Sequence, residues 1–309
     1  NDPETLWKSN QLGATGNHLH LNALYDVLNR TYIDALVQTA STYQEHRACI
    51  QMIERVTLDK VILIADRGYE NYNIMSHAIE KGWKFLIRIK DVHSNGIASG
   101  LELPQTAVFD MDINLILTRN QTKSKKQAGY KFMPTVQTFD YLPIGSKEDY
   151  PISFRIARFK IADDSYETVI TNLDRFCFSA EKLKELYHLR WGIETSFREL
   201  KYAIGLTSFH AKKVDYIKQE IFARLTLYNY CELITTYVVE HTENISKKNQ
   251  VNFTIAIYIC REYLRRKRKL RPPDVVKLIE KHILPIRPGR RDPRKVKPQA
   301  SVSFLYRVA

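Results

Sequence analysis

The chain has 309 residues with 47 Lys plus Arg against 34 Asp plus Glu, a formal charge of +13. At 44% hydrophobic and 26% charged residues it can bury a sizeable core, which excludes disordered, collagen-like and mini-protein classes. Its length suits about two domains.

The charge is unevenly placed. Arg261 to Lys297 holds 15 Lys plus Arg and 4 Asp plus Glu, a net +11 that leaves +2 for the remainder. Six of the eleven prolines fall in or just after that stretch, so much of it is expected to be extended. A basic, partly irregular arm points to a polyanion, with nucleic acid first and an acidic membrane surface second. No apolar run approaches the roughly 18 residues of a membrane span, and no signal peptide is visible. The four cysteines, Cys49, Cys177, Cys231 and Cys260, form no CxxC pair. They read as reduced, buried thiols of a cytoplasmic protein rather than a zinc site.

In chain order, the first 17 residues show neither helical nor strand periodicity. Alternation from His18 to Asp26 and a β-rich run from Thr31 to Val37 predict an antiparallel pair. Tyr43 to Val56 predicts an amphipathic helix. Val61 to Ala65 is a continuous apolar run, the pattern of a strand buried on both faces, and it delivers Asp66 at its carboxyl end. Asn73 to Glu80 predicts a helix and Trp83 to Ile89 a strand, an α/β order. Val108 to Leu117, Lys131 to Leu142, Ile152 to Ile161 and Glu167 to Leu173 then read as strands of an all-β insertion. Helices follow over Ala180 to Ile204, Val214 to Glu240 and Phe253 to Leu270.

The segment Tyr187 to Lys201, YHLRWGIETSFRELK, carries the densest chemistry. On one continuous helix, at about 100° per residue, Tyr187, Arg190, Glu194, Arg198 and Lys201 fall within roughly 80° of each other. A solvated face with a Glu194–Arg198 pair at i, i+4 explains the pattern without function. The functional alternative has Glu194 holding a divalent cation and Arg190, Arg198 and Lys201 holding phosphates. Asp66 is equally open between a turn or helix cap and a functional acid, with Arg67 beside it as a phosphate-binding cation.

The spacing Tyr187-x2-Arg190-x3-Glu194-x6-Lys201 resembles the YREK signature of bacterial insertion-sequence transposases of the IS-four family, and ADRGY at Ala65 to Tyr69 resembles the block with that family's second catalytic Asp. Similar segments include YDVLNRTYIDA at Tyr25 to Ala35, WKFLIRIKD at Trp83 to Asp91, ETVITNL at Glu167 to Leu173 and ILPIRPGRRDPRK at Ile283 to Lys295. The resemblance implies an α/β, RNase H-like mixed-sheet core over residues 1–90 and 179–212, interrupted by the β-rich insertion of residues 91–178. A helical, basic C-terminal region follows over residues 213–309. It further implies a DDE triad holding two Mg²⁺ or Mn²⁺ ions, with Asp66 as second acid and Glu194 as third. Tyr187, Arg190, Arg198, Lys201 and Arg67 are then expected to bind DNA, and Trp191 to stack on a base. The implied partners are double-stranded DNA, as terminal inverted repeats and target, and a second copy of the chain on paired ends.

The first acid departs from the pattern. The RNase H-like order places it on a strand before the His18 to Asp26 strand, and nothing in residues 1–17 reads as that strand. The expectation is therefore a chain truncated before the first catalytic Asp and inactive alone, with Asp26 as the fallback and Asp34 behind it. Two alternatives stand beside the transposase reading: an RNase H-like nuclease, which cuts without joining, and a non-catalytic DNA-binding protein using the basic arm. A membrane-surface role for Arg265 to Lys269 is the weakest of the readings.

Overall fold

A computed structural model describes residues 3–8, 15–92, 94–126, 129–242, 249–267, 271–286 and 303–304. The chain divides into two compact units, one of His18–Asn22 with Asp34–Arg190, the other of Asn1–Asn17, Ala23–Ile33 and Trp191–Ala309.

The elements run β1 (Leu6–Lys8), β2 (Thr15–Asn17), β3 (Leu19–Asp26), β4 (Thr31–Thr39), α1 (Glu45–Arg55), β5 (Ile62–Ala65), α2 (Tyr72–Glu80), β6 (Lys84–Arg88), β7 (Phe109–Thr118), β8 (Tyr130–Phe132), β9 (Asp149–Ala162) and β10 (Ser165–Thr171). They continue as α3 (Ala180–His188), α4 (Trp191–Glu199), β11 (Ser208–Phe209), α5 (Val214–His241), β12 (Asn249–Val251), α6 (Phe253–Arg265), α7 (Val275–Glu280), β13 (Ile283–Pro285) and β14 (Ser303–Phe304).

The first unit is built on a six-stranded mixed sheet of order β5-β6-β10-β9-β7-β8. β5 and β6 are parallel, whereas β10 pairs antiparallel with both β6 and β9. The strands of the 91–178 segment thus continue the sheet that β5 and β6 begin. Phe85, Leu86 and Ile87 of β6 are fully buried, whereas β5, expected to be buried on both faces, buries Leu63 and Ala65 but leaves Ile62 and Ile64 partly exposed, because it ends the order of the sheet. Leu86 joins Ala157, Phe159, Val169, Leu183 and Tyr187 in one cluster, which packs α3 onto that face. By strand alternation Phe85 and Ile87 face the other way. α2 starts where Asn71 accepts the amide of Asn73 at 2.7 Å, and Arg55 of α1 forks onto Asp34 of β4 at 2.7 and 2.8 Å.

The second unit is largely helical. Its β3–β4 turn is tied by Asp26, which accepts the amides of Leu28 and Asn29 at 2.9 and 3.0 Å. Arg30 follows with a left-handed φ of 57°. After α4 a π-helical turn, Leu200–Ile204, ends at Gly205 with φ 92°. That conformation strains any residue with a Cβ.

Other expectations change as well. Residues 6–8 and 15–17 do form strands, which among the described residues pair with each other. Lys131 to Leu142 is not a strand beyond Phe132; its carbonyls turn inward to Arg119, which donates to Leu142, Met133, Pro134 and Gln137. Cys177 is exposed, while Cys49, Cys231 and Cys260 are buried. The helix expected over Ala180 to Ile204 breaks at Leu189 and Arg190, whose amides bond three residues back to Leu186 and Tyr187 at 3.1 Å each. Of the basic arm, residues 268–270 and 287–302 lie outside the described residues. Among the described residues no helix is long and apolar enough to cross a membrane.

Candidate active site

Asp66 follows β5 directly, at the carboxyl end of the parallel β5–β6 pair, the end where open α/β sheets gather ligands. Its Oδ1 accepts the amide of Gly68 at 2.9 Å, and its carbonyl accepts the amide of Tyr69 at 3.0 Å. The capping role and an outward carboxylate therefore coexist: Asp66, Arg67 and Gly68 are all exposed. Tyr69 lies deeper, and burial pushes its phenol well above the ordinary range.

Sequence reasoning missed His46. It reaches from the first turn of α1 to the Gly68 carbonyl, Nε2 to O 2.6 Å, while Nδ1 stands 3.2 Å from the Asn71 amide nitrogen. Asn71 can only donate there, so Nδ1 accepts and Nε2–H donates to Gly68. His46 thus braces the turn that carries Asp66. A histidine at a helix start gives no sequence signal of a partner 22 residues away.

Glu194 sits in the first turn of α4, where the helix dipole favours a carboxylate. Trp191, Glu194 and Arg198 are exposed and, at i, i+3 and i+7, share a face. The opposite side holds buried Ser196, whose hydroxyl donates to the Ile193 carbonyl at 2.8 Å and meets the Tyr32 hydroxyl at 2.9 Å. Lys201 stands half-buried in the π turn. That turn is wider than an α turn and changes the angular register expected for Lys201.

The break at residues 189–190 removes the single face expected for all five residues. Tyr187 belongs to the other unit, buried in the sheet cluster at 4% exposure. The Arg190 guanidinium lies 5.6 Å from the Tyr187 ring centre, a cation–π distance. Burial raises the Tyr187 phenol, opposed by Arg190 and Arg88. Asp66, Arg67, Tyr187 and Arg190 therefore belong to the sheet unit, and Trp191, Glu194, Arg198 and Lys201 to the helical unit.

Carboxylate oxygens are the donors that hard cations such as Mg²⁺ take, so Asp66 and Glu194 fit as ligands by chemistry. Among the described residues, however, no group of three His, Cys, Asp or Glu is placed to hold a metal. The fallback acids are both engaged: Asp26 in its turn and Asp34 in the Arg55 fork.

Comparison with known proteins adds the family. Over 178 residues the chain is 23% identical to the "Probable transposase for insertion sequence element IS5377" of Geobacillus stearothermophilus, covering 57% of this chain and 40% of that protein. Over 57 residues it is 39% identical to the "Transposase for insertion sequence element IS421" of Escherichia coli, covering 18% of this chain and 15% of that protein. The matched stretches thus span two fifths or less of these relatives. Residues 4–230 match the family described as "Transposase DDE domain". With strand-end Asp66 on a mixed α/β sheet and most of its length within that match, the chain belongs to the DDE-domain transposase family.

Proposed function

We propose that the chain performs DNA transposition: metal-dependent cleavage of phosphodiesters at insertion-sequence ends, followed by joining of the freed 3′-hydroxyl to target DNA. The observation that carries this reading is the match to the DDE domain across residues 4–230, with Asp66 exposed at the carboxyl end of β5. In the IS-four pattern, Asp66 and Glu194 act as the second and third metal ligands. Bound Mg²⁺ or Mn²⁺, as a pair, would activate the attacking hydroxyl and steady the leaving oxygen. Arg67, Arg190, Arg198 and Lys201 hold phosphates, Trp191 stacks on a base, and Tyr187 positions Arg190 through its ring.

The first acid lies on a strand beyond those described. Among the described residues β5 pairs on one side only, with β6, which leaves an edge to receive it, and Asp26 and Asp34 already have structural roles. Without that acid, residues 1–309 bind DNA but do not cleave it. The working form is a dimer on paired ends, acting on the nucleoid in the bacterial cytoplasm. The core, insertion and basic C-terminal region divide as residues 1–90 with 179–212, 91–178 and 213–309.

The test compares residues 1–309 with a version extended at the N-terminus, on paired DNA ends carrying inverted repeats and with Mg²⁺ or Mn²⁺. Joined or hairpin products from the extended form alone support the proposal. Cutting without joining favours a nuclease, and activity indifferent to Asp66→Ala and Glu194→Ala favours a DNA-binding protein. Robust Mg²⁺-dependent cleavage by residues 1–309 would sink the missing-acid claim.

A further inference from the structure

The helical unit buries more charge than a core needs. Glu232 of α5 is 2% exposed and Glu199, the last residue of α4, 19%. Both face one guanidinium: Arg30 Nη2 lies 2.8 Å from Glu232 Oε1 and 3.9 Å from Glu199 Oε1. The Tyr228 hydroxyl stands between them, 3.0 Å from Glu199 Oε2 and 3.1 Å from Glu232 Oε1, with the Tyr25 hydroxyl 3.2 Å away. Close by, Asn229 takes the place of a neighbouring strand for Tyr32, accepting its amide and donating to its carbonyl at 2.8 Å each. Tyr32 in turn reaches Ser196.

Two carboxylates around one guanidinium are a poor choice for stability alone, because apolar side chains of the same volume usually serve as well. What such a cluster does supply is a defined geometry. Ser196 and Glu199 lie two and five residues beyond Glu194, about 200° and 140° around the helix from it. α4 is therefore gripped along the side opposite Glu194.

We propose that Arg30, Glu199 and Glu232 are positioning residues that fix the rotation and height of the Glu194 helix, with the β3–β4 turn as the anchor. The functional weight of this inference rests on the reading of Glu194 as a metal ligand. The anchoring itself does not.

The test uses residues 1–309. Arg30→Lys keeps the charge but loses the planar guanidinium whose Nη2 faces both carboxylates, and Glu199→Ala removes the carboxyl group that meets Arg30 and the Tyr228 hydroxyl. Amide hydrogen exchange in Ile193 to Glu199 is compared with exchange in α6. Both variants are expected to speed exchange in α4 by about tenfold or more, with α6 unchanged. In parallel, Mn²⁺ alone is titrated, following the part of the quenching that Trp191→Phe abolishes. The half-saturating concentration is expected to rise about threefold or more in both variants.

Exchange that rises equally in α4 and α6, or in neither, overturns the anchoring, since a merely stabilising cluster affects the unit as a whole. If Arg30→Lys fails to fold, Glu199→Ala decides by the same comparison. If Glu194→Gln leaves the Mn²⁺ quenching intact, the metal reading of Glu194 fails, while the exchange result still decides the anchoring.

Discussion

Asp66 accepts the Gly68 amide at 2.9 Å through Oδ1, so one oxygen of the carboxylate shapes the turn and the other takes no part in that bond. Cap and metal ligand can therefore be separated by substitution. Asp66→Asn keeps an oxygen for the Gly68 amide and loses the charge. Its unfolding free energy should stay within about 0.5 kcal/mol of the parent, while end cleavage by the extended form falls roughly a thousandfold or more, about 4 kcal/mol of barrier. Asp66→Ala should lose the same activity and about 1 kcal/mol of stability besides. Urea unfolding and a cleavage assay on the same samples check both halves. Equal stability losses in the two variants would mean that the cap is not what Asp66 contributes to folding.

Gly68 itself is constrained by its neighbour. A Cβ built there meets Asp66 Oδ1 at 3.0 Å, closer than ordinary contact, so Gly68→Ala must move the carboxylate. Cleavage is expected to drop about tenfold for a stability cost of about 1 kcal/mol or less. Raising the metal concentration should recover part of the rate, which a metal titration would show.

Burial raises the carboxyls of both Glu199 and Glu232 above their ordinary value, and Arg30 and the Tyr228 hydroxyl only partly offset it. A carboxyl whose folded value exceeds its unfolded one adds stability that is full below the unfolded value. That stability is lost as pH rises through the folded value. As pH rises above about 4.5, the ordinary glutamate value, the pair should therefore make stability fall until both carboxyls have ionised, and Glu199→Gln should flatten that slope. Urea midpoints across this range measure it; a slope unchanged in Glu199→Gln would show that Glu199 does not titrate there.

The described part of the basic arm offers exposed Arg265 and Lys267. If each contacts a phosphate, changing either to Gln should reduce the slope of log affinity against log salt by about 0.9. The effect should be alike for end DNA and unrelated duplex, because phosphate contacts carry no sequence information. Binding isotherms at several salt concentrations test this directly.

The sequence made β5, β6 and α1 legible because their apolar residues obey a single period: Val61 to Ala65 fills a strand, and Ala48, Met52 and Ile53 fill one stripe of α1. The break at Leu189 and Arg190 was not legible, since the charges on either side keep a helical spacing and no proline or glycine stands at the break itself. Lys131 to Leu142 has strand-like composition, but a single side chain, Arg119, gathers its carbonyls and turns it away from the sheet. Asp66 and Glu194 stood out by local pattern. Arg30 and Glu232 did not, because their pairing spans 202 residues of chain and each alone reads as an ordinary surface charge.

That β5 pairs with β6 alone among the described strands has a practical side. Ile62 to Ala65 is short and apolar, and an unpaired strand edge of this kind is a template for another copy of itself. Preparations of residues 1–309 should therefore tend to associate edge to edge as concentration rises, and a charged residue in place of Ile62 should improve their solubility without touching Asp66. Any chain segment that takes its place beside β5 would act as an internal protectant, keeping the molecules apart as well as completing the sheet.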